Sequence, residues 1–238
     1  MLLSVFRINA LIEFYTAPFS IYHSIEYDLS VQDIELTSSE LNLKEPIIKI
    51  CSGKEWYRFP SHYFLMDGGV NYQDNPRQLE FGFIPSAFNG QLPQLFSSAK
   101  NATALIPPYF NGDNVLDPSA YTDLNDCHYI VDLDLGPDQY EQRYNQYMSE
   151  NEEFIWLTVL EMPFLDASET QSLFRAFRIP YLFDDKLVFK PYQLLKRHIL
   201  HPDNDKNAIK INGNEVHDHE EVEIKSHNRF MPHIHEEL

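Results

Sequence analysis

The chain has 238 residues and carries 36 acidic against 18 Lys and Arg side chains, a formal net charge of −18. So acidic a surface repels phosphate backbones, and no basic cluster offsets it, which argues against nucleic-acid binding and against general attraction to anionic lipid headgroups. Hydrophobic residues make up 43% and aromatics 14%, with 14 Tyr, 17 Phe and only 8 Gly, enough for one substantial domain with aromatic-rich strands.

From Met1 to about Ile25, Leu3, Phe6, Ala10, Phe14 and Ala17 recur at helical spacing, which predicts an amphipathic helix that Pro18 stops or kinks. Such a helix suits a membrane surface as well as it suits packing on its own domain. No uninterrupted apolar run reaches the length of a bilayer span. The nearest, Met1 to Ile12, is broken by Arg7 and Asn9 and lacks the basic start and cleavage site of a secretory leader. Asp28 to Glu45 reads as a polar loop or weak strand. Strand-like runs follow at Ile47 to Cys51, at Trp56 to Met66 with Pro60 breaking it, and at Leu79 to Ile84. Pro85 to Tyr121, rich in Asn, Gly, Pro and Ser, reads as turns.

Alternation is clearest in Cys127 to Leu135. Cys127, Tyr129, Val131, Leu133 and Leu135 fall on one face, taken as core; His128, Ile130, Asp132 and Asp134 fall on the other. Gln139 to Glu153 reads as a loop or exposed helix, and Phe154 to Leu160 as a second buried strand. Asp166-Ala-Ser-Glu169 has the form of a capping box for a helix ending near Phe177, before Pro180. Leu187 to Leu194 reads as a last strand. The expected fold class is α+β: a mainly antiparallel sheet, a leading amphipathic helix, one or two short helices and a disordered C-terminal tail. Three segments result, 1–27 membrane-proximal, 28–200 globular and 201–238 acidic tail.

Several residues have chemistry to offer. Asp132-Leu133-Asp134 resembles the acidic motif by which some nucleotide-sugar transferases hold a divalent metal, and either carboxylate would serve as a general base. Two acids at spacing two are commonplace on a solvated strand face, and no phosphate-cradling glycine loop accompanies them, so the solvent-face reading is favoured. Tail pairs His217/His219 and His233/His235 have ligand-like spacing but no rigid frame. Cys51 and Cys127 are buried thiols in a reducing compartment and a possible pair in an oxidising one. Asn101-Ala102-Thr103 is an acceptor for N-linked glycan if the segment is lumenal.

Beside these weak motifs stands the block Cys51-Ser-Gly-Lys-Glu-Trp-Tyr-Arg-Phe-Pro-Ser61, followed in order by Phe83-Ile-Pro-Ser86, Gly90-Gln-Leu-Pro93, Cys127-His-Tyr-Ile-Val-Asp-Leu-Asp134, Pro163-Phe-Leu-Asp-Ala-Ser168, Arg175-Ala-Phe177 and Ile179-Pro180. Together they resemble the lumenal part of the dolichyl-phosphate-mannose-dependent alpha-1,2-mannosyltransferases of glycosyltransferase family 22. Arg7, Ala10-Leu11, Tyr15 and Ala17-Pro18 resemble the segment that follows the last membrane span in that family. The likeness runs from about Val5 to Lys190. Asn89 departs from the family's usual basic residue, and Met66 to Tyr72 looks like a changed loop.

The resemblance implies a polytopic enzyme of the endoplasmic-reticulum membrane, passing mannose from dolichyl-phosphate mannose to the dolichol-linked oligosaccharide on the lumenal side. The family's catalytic carboxylate lies in a first lumenal loop with no counterpart here, so no catalytic residue carries over, and neither a cofactor nor a metal is expected. The chain is then expected to be an incomplete or truncated enzyme, inactive by itself. Lys54, Trp56 and Arg58, on one face if the block is a strand, are the expected contacts to acceptor sugars or pyrophosphate. A lumenal setting also implies a disulfide between Cys51 and Cys127 and use of Asn101. The terminal His235-Glu-Glu-Leu238 is similar to a lumenal retention signal. The alternatives are a free-standing lumenal glycan-binding or accessory module and, last, a metal-dependent nucleotide-sugar transferase.

Overall fold

The computed structural model describes residues 2–31, 47–58, 65, 70–72, 75–93, 99–106, 110–136 and 154–199. The expected loop at 139–153, the tail with its histidine pairs and the terminal tetrapeptide lie outside the described residues.

The predicted leading helix is two helices, α1 (Leu2–Tyr15) and α2 (Ala17–Val31). Thr16 makes the break, and Pro18 falls in the first turn of α2, where its missing N–H costs nothing. Ala10, Phe14 and Ala17 of the expected inner face are buried, but Leu3 is 65% exposed, and Leu2, Val5, Ile8, Leu11 and Ile12 point outward with it. α2 runs through residue 27, and its Ile21, Ile25 and Leu29 are fully buried in the same core as the sheet.

Six strands follow: β1 (Ile47–Ser52), β2 (Val70–Tyr72), β3 (Asn75–Phe83), β4 (Tyr129–Leu133), β5 (Phe154–Leu165) and β6 (Phe189–Ile199), in the order β2-β3-β1-β4-β6-β5. The sheet is mostly antiparallel, as expected, but β1 pairs in parallel with both β3 and β4. Strands at such a centre are covered on both faces and read as continuous apolar runs. Every residue of β4 is buried accordingly. Tyr129, Val131 and Leu133 pack with Ile48, Ile50, Tyr192 and Leu194 under α2; Ile130 turns to the other face beside Cys51, Trp156 and Leu195.

Four expectations need correction. Cys127 packs with Ile130, not with Tyr129, because the 3-10 turn Leu124–Asp126 just before it resets the alternation. Leu135 lies beyond the strand and is 49% exposed. Asp132 lies buried, not on a solvated face. The Asp166 carboxylate accepts from Ser168 N, Ser168 Oγ and Glu169 N, which closes a local turn; the short helix α3 (Ser172–Ala176) begins only after Gln171. Hydrogen bonding to Ser168 leads the effects that hold Asp166 below the usual carboxylate range.

Candidate functional site

Because β1, β3 and β4 are parallel, the chain leaves all three at one edge of the sheet, and the carboxyl ends of parallel strands are where such sheets place their ligands. At that edge Gly53 breaks off β1 with φ −96° and ψ −104°, and Lys54–Tyr57 coils into a 3-10 turn closed by Trp56 N to Gly53 O (3.2 Å) and Arg58 N to Glu55 O (3.0 Å). The expected strand here is thus replaced by a turn, and Lys54, Trp56 and Arg58 do not share a strand face. The cause is local. In a 3-10 helix residues i and i+3 eclipse one another, which brings the Arg58 guanidinium onto the Glu55 carboxylate as an ion pair.

Four side chains of the turn are held by different parts of the fold. Lys54 reaches Asp132 of β4, Nζ to Oδ2 3.5 Å. Glu55 points inward, 4% exposed, beside Tyr192 of β6 and Tyr22 of α2. Burial, partly countered by Arg58 and Lys54, raises its carboxyl above the usual range, and burial with Glu55 close by pushes the Tyr22 phenol up. Trp56 lies on Phe88 of the loop after β3, with ring centroids 4.4 Å apart. Arg58 sits over the Phe164 ring of β5 at 4.3 Å, with Tyr57 at 5.0 Å. Tyr57 is the exposed member, at 47%.

A second buried polar knot lies under α2. Asp28 accepts from Tyr129 Oη and from Lys196 Nζ at 2.8 Å, joining helix, β4 and β6. On the opposite face Cys51 and Cys127 are joined by a disulfide with Cα atoms 5.9 Å apart. Asp134 accepts from Gly136 N at 2.9 Å in a turn. Among the described residues no group of three or more His, Cys, Asp or Glu side chains is placed to share a metal ion. Asn101 and Thr103 are exposed, and Asn101 opens the 3-10 turn Ala102–Ala104 with its side chain outside the cap. Among the described residues no helix is long and apolar enough to cross a membrane.

Comparison with known proteins supplies what geometry cannot. The chain is 40% identical over 161 residues to Alpha-1,2-mannosyltransferase ALG9 of Mus musculus, 68% of this chain and 24% of that protein. It is 32% identical over 187 residues to algn-9 of Caenorhabditis elegans, 76% and 28% of the two lengths, and 27% identical over 178 residues to ALG9 of Saccharomyces cerevisiae, 73% and 28%. The chain is a homologue of the alpha-1,2-mannosyltransferases named ALG9. It spans about a quarter of the length of these curated relatives. No family model and no solved structure matches it.

Three of the sequence blocks singled out above, scattered in sequence, meet at this one edge. The first supplies the turn and Cys51, the Cys127–Asp134 block supplies β4 with Asp132, and the Pro163–Ser168 block supplies the Phe164 ring beneath Arg58. Phe88 stands between the Phe83–Ser86 and Gly90–Pro93 blocks. Sequence reasoning missed Glu55, Tyr22, Tyr192 and Phe164. Glu55 and Phe164 lay inside quoted blocks, and the spacing of three between Glu55 and Arg58 was a further signal; Tyr22 and Tyr192 had none, in a chain with 14 Tyr and 17 Phe.

Proposed function

We propose that this chain is the lumenal carboxy-terminal domain of an endoplasmic-reticulum membrane enzyme that transfers mannose from dolichyl-phosphate mannose to the dolichol-linked oligosaccharide in alpha-1,2 linkage. The observation that carries the reading is the similarity to relatives named alpha-1,2-mannosyltransferase over 68% and 76% of the chain. The site's chemistry supports a contacting role rather than a catalytic one. Its carboxylates Glu55 and Asp132 are buried against cations, so neither faces a cleft as a general base would. The domain is inactive alone, because a polyprenyl donor needs an apolar membrane groove.

Within the domain the turn Lys54–Arg58 is the acceptor contact, with Tyr57 outward, Trp56 and Arg58 part-exposed beside it, and Lys54 holding the turn to Asp132 from behind. Aromatic faces stack on sugar rings, and a guanidinium forks onto phosphate. The disulfide and a glycan on Asn101 follow from a lumenal setting. The test is a chimera of the mouse relative whose matching segment is replaced by this chain, assayed in membranes with donor and lipid-linked acceptor. Mannose transfer by the chimera and none by the chain alone is expected. A folded chimera without transfer, or transfer by the chain alone, overturns the reading. Tyr57→Ala in the chimera should raise acceptor KM about tenfold at unchanged kcat, and Asn101→Gln should remove one glycan from the mobility of the lumenally expressed protein.

A further inference from the structure

Where α1 crosses α3 there is a groove of about 260 Å³ lined by Arg7, Ala10, Leu11, Tyr15, Ser172, Arg175 and Ala176. Its charge runs against the rest of the chain. Arg7 and Arg175 line it and no carboxylate does, in a protein of net charge −18. Arg175 is half-fixed, donating Nη1 to Ala167 O at 2.8 Å and Nη2 to Ser172 Oγ at 2.7 Å, which leaves three of its five N–H groups. Arg7 is exposed and has no hydrogen-bond or ion-pair partner among the described residues. The nearby carboxylate of Glu13 is held by Arg178. Two arginines lining one depression bring to it the N–H donors that suit a phosphate.

The groove opens onto the outward apolar side of α1. Leu11 belongs to both, lining the groove at 54% exposure, and Leu2, Leu3, Val5, Ile8 and Ile12 extend the surface at 47 to 68%. Phosphate-binding cations beside an exposed aliphatic helix face match one ligand chemistry, a phosphorylated headgroup joined to hydrocarbon. Arg178 fixes this helix to the domain, through its N–H to Phe6 O at 3.0 Å and its guanidinium to Glu13 and Asp184. Tyr15 of the groove also touches Phe164, the ring under Arg58, with centroids 5.6 Å apart.

We propose that α1 lies in the plane of a bilayer surface and that the Arg7–Arg175 groove holds the phosphate of one bilayer lipid, which places the acceptor turn one aromatic ring away from the membrane. This goes beyond the proposed function and does not need mannose transfer. The net charge opposes an anionic surface as a whole, so the bilayer to use is nearly neutral.

The test is flotation of the 238-residue chain with phosphatidylcholine vesicles containing a minor fraction of phosphatidic acid. The chain should float, and Arg7→Glu and Ile8→Glu should each lower the bound fraction on the order of tenfold. Both residues are exposed, so circular dichroism and thermal unfolding should be unchanged. Arg7→Glu floating like the parent, or loss only with Ile8→Glu, overturns the phosphate site. No flotation by the parent overturns the whole proposal, and so does a response to inorganic phosphate without flotation. Because the assay contains no sugar donor, its failure and that of the chimera are read separately.

Discussion

Glu55 is buried beside Arg58, and its pKa is raised, chiefly by burial. The folded chain therefore keeps this proton at pH values where the unfolded chain has lost it. The group's contribution to stability is complete below the ordinary value of 4.5 and is lost as pH rises towards the folded value. Glu55→Gln removes that slope. In paired urea titrations, the unfolding free energy of the variant relative to the parent should climb from pH 4.5 upward and then level off; a flat difference would show that Glu55 titrates normally. Gly82 makes a second residue-scale case. A Cβ there would stand 2.3 Å from Thr122 Oγ1, where Thr122 N already donates to Phe83 O at 2.7 Å. Gly82→Ala should cost about 1–3 kcal/mol in urea unfolding through overpacking alone.

Among elements, α1 and α2 are held in different ways. α2 is buried by Ile21, Ile25 and Leu29 and pinned by Asp28 to Tyr129 and Lys196. Removing Asp28 takes away the acceptor shared by Tyr129 and the part-buried Lys196, so Asp28→Ala should destabilise by about 1–3 kcal/mol, measured by urea unfolding. α1 buries only Ala10 and Phe14, and Arg178 clasps it. Arg178→Ala should leave global unfolding nearly unchanged while amide exchange in Leu2–Tyr15 accelerates. The strands were legible where their apolar runs are local, as at Ile47–Cys51 and Phe154–Leu160, although the second is an edge strand whose Leu157 and Val159 are exposed rather than buried. Periodicity also found the inward Ala10, Phe14 and Ala17. It failed where the deciding partner is remote or the local geometry changes hand. Asp132 looked solvated because Lys54 is 78 positions away. Cys127 was put on the wrong face because a 3-10 turn precedes it. The Trp56 run looked extended because nothing in apolar pattern records an i, i+3 ion pair that coils it. The parallel centre of the sheet escaped for a similar reason, since register between β1, β3 and β4 is set by packing across long separations.

At the scale of the molecule, the sheet's two faces differ in what secures them. Under α2 the cover is aliphatic and aromatic; on the other side a smaller cluster of Ile130, Phe154, Trp156 and Leu195 is closed by the Cys51–Cys127 link. That link joins residues 76 apart in sequence, so it restricts a long loop of the unfolded chain. Its loss should cost on the order of 4 kcal/mol. Urea unfolding with and without reductant, alongside mass-spectrometric thiol counting, measures it; equal midpoints in the oxidised and reduced protein would contradict the expectation.

The strand order carries a consequence for how the chain is made. β6, the last of the described strands in chain order, lies between β4 and β5 and pairs with both along their lengths. A nascent chain emerging from its amino end can assemble α2, β1, β3 and β4, but β5 has no neighbour until residues 189–199 have left the ribosome tunnel. The final strand thus acts as a keystone inserted from the side. Until it arrives, the growing polypeptide leaves β5 unpaired and one edge of β4 open, the condition that chaperones recognise, and a stop codon just before Phe189 leaves β4 and β5 with nothing to join them.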